Sequence, residues 1–131
     1  MPLWLNLTLI GVAGAAGALS RYGISVWMKS AFGDGFPYGT LLVNVGGCLV
    51  LGLMTEMLDE MASKNMRMVI GVGFLGALTT FSTFGVETIH KAHQGQLAVA
   101  VANVALNLVL GIGFAAIGIY LGRWLSGHSG I

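Results

Sequence analysis

Four stretches of the chain run without a formal charge: residues 1–20, 35–55, 68–86 and 94–122. Each is near or above the roughly 20 mostly apolar residues a helix needs to cross a hydrocarbon core of about 30 Å. Polar positions gather between them. Ser30–Tyr38 (SAFGDGFPY) carries glycines, Asp34 and Pro37, and Asp59–Arg67 (DEMASKNMR) holds the densest cluster of charge. His90–Gln96 (HKAHQGQ) is a short polar turn. The pattern predicts an all-α membrane protein, a single transmembrane domain over 1–131 with four helices. Their approximate spans are 3–29, 38–60, 66–91 and 95–125, with both termini on one side. The first run lacks a positively charged start and runs into Arg21 without a cleavage-type ending, so it reads as a helix and not a signal peptide.

Composition sharpens this. Of 131 residues, 56% are hydrophobic and 8% charged, against about 25% charged in soluble domains. Mean hydropathy is +0.85. A small soluble domain exposes much of its surface and covers it with charge; six Lys/Arg and five Asp/Glu do not suffice. Disorder, which needs high polarity, is excluded too. A net charge of +1 argues against a nucleic-acid partner. The single Cys48 excludes a disulfide framework, a cysteine zinc site and a CxxC redox pair. The expected location is the cell (inner or plasma) membrane, as a multi-pass protein.

Orientation is weakly written. One side has Lys64, Arg67 and Arg123, the other Lys29 and Lys91. The positive-inside rule needs a clear excess. Insertion both ways, with an antiparallel homodimer, stands about even with one orientation set by Lys64 and Arg67.

Glycine occurs 21 times, where average usage gives roughly 9. Small residues let membrane helices approach closely; Gly11, Gly14 and Gly17, then Gly46, Gly47 and Gly52, then Gly118 and Gly122 suit that task. Four helices enclose little volume, so a transport path calls for two copies. The third run differs. Gly71, Gly73 and Gly76 precede Leu78-Thr79-Thr80-Phe81-Ser82-Thr83-Phe84. Glycine weakens a helix by about 1 kcal/mol relative to alanine, and hydroxyls can support freed backbone groups. The third helix is expected to break within 75–80, which a membrane tolerates only where the freed groups face protein, a cavity or an ion.

Polar groups at membrane depth are functional candidates. Glu87 lies on one helical face with Thr80 and Phe84, and Phe81 shares a face with Phe84. Asn103 and Asn107 form a stripe four residues apart, Asn44 stands alone in LLVNVGG, and Arg21 ends the glycine-rich part of the first helix. Against these stand plain packing for the phenylalanines, interhelical hydrogen bonding for the asparagines and snorkelling for Arg21. His90, Lys91 and His93 read as a solvated or headgroup-contacting surface. No nucleophile–His–acid set and no phosphate-binding glycine loop followed by lysine occurs, so an enzyme is not expected.

Three segments carry a resemblance. Gly17-Ala18-Leu19-Ser20-Arg21-Tyr22, Gly39-Thr40-Leu41-Leu42-Val43-Asn44 and the longer Gly73-Phe74-Leu75-Gly76-Ala77-Leu78-Thr79-Thr80-Phe81-Ser82-Thr83-Phe84 resemble, in order, motifs of the Fluc/CrcB family of fluoride channels. Ala77 stands where members often have a second glycine, and Asn103, Asn107 and Ala115 where they vary. The resemblance implies an antiparallel, dual-topology homodimer with two fluoride pores that passively exports fluoride. It implies one central structural Na⁺ held by the backbone carbonyls of Gly76 and Thr79. It further implies pores edged by Phe81 and Phe84, an amide donor from Asn44, and a polar track of Ser82 and Thr83 with Glu87 beside it. Asn103 and Asn107 join the polar lining, and Arg21 sits toward the vestibule or supports the fold. Two alternatives remain: a small multidrug-type proton-coupled exporter, whose working acid would have to be Glu87, and an accessory membrane subunit.

Overall fold

Inside a bilayer no water bonds the backbone, so an apolar chain must pair its own N–H and C=O groups, and helices do this within one segment. The computed structural model describes residues 1–61 and 63–127, which are helical and contain no strand. Helix α1 spans Leu3–Phe32 and α2 spans Tyr38–Met61. A third passage is assembled from pieces: α3 (Lys64–Met68), a π-helical segment (Val69–Leu75), the single turn α4 (Gly76–Leu78) and α5 (Phe81–His93). Helix α6 spans Leu97–Leu125. Four passages, Leu3–Phe32, Tyr38–Leu58, Lys64–His93 and Leu97–Leu125, are long and apolar enough to cross a membrane.

Local chemistry sets the ends. Helix α1 continues past residue 29 until Gly33, at φ 76°, turns the chain and donates its N–H to Lys29 O at 2.8 Å. Ser63 starts α3 by accepting the Met66 N–H at 3.3 Å. At 30 residues α1 is about 45 Å long, so its ends reach the headgroups. There Trp4 and Trp27 stand exposed, as amphipathic rings do at membrane interfaces.

The passages alternate in direction. At one end Lys91 Nζ donates to Asp34 O at 2.7 Å, and Lys29 pairs with the Asp34 carboxylate at 3.1 Å. At the other, Asn6 meets Asn65 at 3.4 Å, and Arg123 pairs with Glu56 at 3.4 Å. The N-terminal residues and the end of α6 therefore share one end.

Helices α2 and α6 touch through backbone. A Cβ on Gly118 would press on Leu49 O and lie 2.8 Å from Leu53 N, and one on Gly122 would lie 2.8 Å from Leu53 O. Gly17 likewise abuts Phe74 O, bringing α1 against the π-helical segment. Large apolar side chains such as Leu19, Val109, Ile112 and Trp124 point outward. The interior is partly polar: Thr40, Thr80 and Asn103 are buried with Val43, Leu75, Phe84 and Ala100. That mixture marks where α2, α5 and α6 meet.

Candidate functional site

Thr79 and Thr80 leave the helical region, with φ/ψ of −80°/155° and −151°/115°. The interruption thus falls at the end of the 75–80 window. In an unbroken helix the Thr80 N–H would bond Gly76 O, and the Thr83 N–H would bond Thr79 O. Both donors are engaged elsewhere. Thr80 N–H donates to Asn44 Oδ1 at 2.7 Å, and Thr83 N–H donates to Thr80 Oγ1 at 3.2 Å. The carbonyls of Gly76 and Thr79 are thereby released from the helical ladder. The Thr80 carbonyl accepts from Asn44 Nδ2 at 3.0 Å. Asn44 therefore clamps both backbone groups of Thr80 and supplies the pairing that the break removes.

Further bonds lock the clamp. Asn44 Nδ2 also donates to Asn107 Oδ1 at 3.1 Å. Asn107 Nδ2 donates to Asn103 O and Oδ1, each at 2.9 Å. Asn103, fully buried, donates to Thr88 Oγ1 at 2.9 Å, and Thr88 donates to Phe84 O at 2.8 Å. The three asparagines singled out in the sequence thus form one network. The amide donors of Asn44 are spent within the chain.

Phe81 and Phe84 lie near each other, with ring centroids 5.5 Å apart and planes at 54°. Their surroundings differ: Phe84 is 8% exposed and Phe81 80%. Ser82 is exposed on the same first turn of α5, and Thr83 shares a hydrogen bond with Thr80 at 2.9 Å between hydroxyls. An outward-facing groove of about 290 Å³ is bordered by Asn44, Gly47, Gly76, Thr79, Thr80 and Phe81. Its polar backbone would face lipid in a single chain.

One helical turn beyond Phe84, Glu87 Oε1 accepts from Thr40 at 3.0 Å. Glu87 Oε2 is buried without a hydrogen-bond partner among the described residues. A cavity of about 540 Å³ opens from Thr40 and Glu87 toward the end with Lys29, Asp34, His90 and Lys91. Its charges are of both signs, so it has no single strong anion trap. Arg21 is half-buried on α1, outside the asparagine network and outside the residues lining this cavity.

A family model described as CrcB-like protein, Camphor Resistance (CrcB), matches residues 8–119. The chain belongs to the CrcB family. Proteins named fluoride-specific ion channel FluC are similar to it over nearly their whole length. The one from Syntrophotalea carbinolica is 42% identical, covering 92% of this chain and all of the relative. That from Vibrio parahaemolyticus is 46% identical over 88% and 92%, and that from Shewanella amazonensis 44% over 92% and 94%. Seen in this CrcB chain, the three motif segments converge: the second supplies Asn44, the third the break, and the first packs Gly17 on Phe74. Two hydrogen-bonding partners escape a reading of the sequence. Thr40, the partner of Glu87, stands one turn before Asn44, a signal that was present. Thr88 follows Glu87 with no local pattern to mark it.

Proposed function

We propose that the protein is a passive, fluoride-selective channel that lets fluoride leave the cell, assembled as an antiparallel, dual-topology homodimer with two pores in the plasma (inner) membrane. The observation that carries this is the break with its outward-facing groove. Backbone carbonyls released in the membrane need protein, a cavity or an ion beside them, and a second copy seated on this face would cover them. The family relationship, through relatives named as fluoride channels, supplies the ion. An exporter driven by protons has no support in those names.

A small anion loses a large hydration energy on entering a low-dielectric region. A fixed cation would hold it too firmly, since conduction needs binding weak enough to release. In this reading the electropositive edges of Phe81 and Phe84 and the hydroxyls of Ser82 and Thr83 give partial compensation without net charge. Glu87, held by Thr40, sits at the floor of the cavity where the ion enters or leaves. Asn44, Asn103 and Asn107 line the path from behind, and Arg21 flanks its vestibule.

The carbonyls of Gly76 and Thr79 suit a hard monovalent cation: they are oxygen donors without their helical partners. They would hold a structural Na⁺ at the meeting of the two breaks, where it would neutralise converging carbonyl dipoles.

The assembly is tested by side-specific labelling of a cysteine added at the C-terminus in a Cys48→Ser background. Comparable labelling from both faces of the membrane is expected. Labelling from one face alone contradicts dual topology.

A further inference from the structure

The bonds around the break run in one direction. Thr80 N–H donates to Asn44, Asn44 to Asn107, Asn107 to Asn103, Asn103 to Thr88, and Thr88 to Phe84 O. The chain leaves the start of α5, crosses α2 and α6, and returns to α5 one turn further on.

Its sense is fixed by chemistry at each link. A reversed Asn44 amide would set its NH₂ against the Thr80 N–H and its oxygen against the Thr80 carbonyl. A threonine hydroxyl has one proton to give and lone pairs to accept with. Thr88 gives that proton to Phe84 O and accepts from Asn103. Asn103 is 0% exposed, so no solvent replaces Thr88 as its acceptor. Bonds linked in this way also polarise one another.

We propose that Thr88 is a positioning residue for ion passage. Through Asn103 and Asn107 it sets the plane of the Asn44 amide. It thereby sets the Thr80 backbone, from which α5 and its two phenylalanines begin. The helix-six asparagines act through Asn44, and Thr88 never touches the ion. This rests on the channel reading above.

The test compares Thr88→Val, which keeps the shape and removes both links, with Thr88→Ser, which keeps both. Fluoride efflux per folded protein is read from loaded liposomes, alongside thermal unfolding in detergent. Thr88→Val is expected to lower efflux about tenfold, the size of a net hydrogen bond, while Thr88→Ser stays within about twofold. Adding Thr88→Val to Asn107→Leu is expected to lower efflux no further, because the chain is already cut. If Thr88→Val fails to fold, Thr88→Ala makes the same comparison.

Unchanged efflux per folded protein in the valine variant, with only a lowered unfolding midpoint, overturns the inference. So does a serine variant as impaired as valine. Both outcomes leave wild-type fluoride efflux intact, whereas a wild type without it removes the channel reading itself.

Discussion

Asn44→Leu is expected to abolish fluoride efflux and to lower the stability of the bundle. Leucine fills similar space but leaves the Thr80 N–H and C=O without the partners they have at 2.7 and 3.0 Å. The orphaned N–H costs about 1–3 kcal/mol, while the carbonyl, as the cap of α5, keeps its place in the first turn of that helix. Asn107 also loses the donor to its Oδ1. Asn44→Asp separates the terms. It can still accept from the Thr80 N–H, but it loses both donated bonds and adds charge. Thermal unfolding and gel filtration in detergent should rank wild type above both variants, with little folded leucine protein recovered. A leucine variant with wild-type midpoint and efflux would show that the break needs no clamp.

The second large effect falls on the rings. Phe81→Ile and Phe84→Ile are each expected to lower fluoride efflux about tenfold or more, as loss of about 1.4 kcal/mol in the rate-limiting passage would. Aromatic rings carry an electropositive edge, and isoleucine is apolar without one. Stability should separate the two variants. Phe84 is 8% exposed, so its loss costs about 1–3 kcal/mol in packing. Phe81 is 80% exposed, so its replacement should leave the fold of the chain intact. Wild-type flux in both variants would take the rings out of the path.

Much of the bundle is legible in the spacing of charges, because lipid enforces length and apolarity on every passage. The four uncharged runs locate the four passages, and Gly76 with Thr79–Thr80 locates the interruption. Gly17 and Gly118 read correctly as contact points, since only a missing Cβ admits the facing carbonyls. The π-helical segment Val69–Leu75 was not legible. Helix α1 lies against it, but no local sequence pattern marks it. The network was half legible. Helical periodicity pairs Asn103 with Asn107, but it says nothing of contacts between helices. Hence the sequence leaves Asn44 open between interhelical bonding and function, with an amide donor implied by the family resemblance, and the structure shows it bonded to the Thr80 backbone. Thr88 belongs to the network only because α5 and α6 bring it to Asn103.

These points share one physical theme. Gly76, Thr79 and the exposed Phe81 border one groove, and Asn44, which also borders it, ties the break to Asn107 and Asn103. The groove beside the break is bordered by uncharged residues, Glu87 lies at the inner end of the larger cavity, and the cationic side chains Lys29 and Lys91 stay at its mouth.

The central claim is that a path with no fixed cation beside the break passes fluoride and refuses a larger halide. The direct measurement uses purified protein in liposomes loaded with equal fluoride and chloride, with both ions followed by selective electrodes after a potassium ionophore is added. The account predicts rapid loss of fluoride while chloride is retained until detergent releases it. Equal efflux of the two ions, or none of either from folded protein, would contradict it.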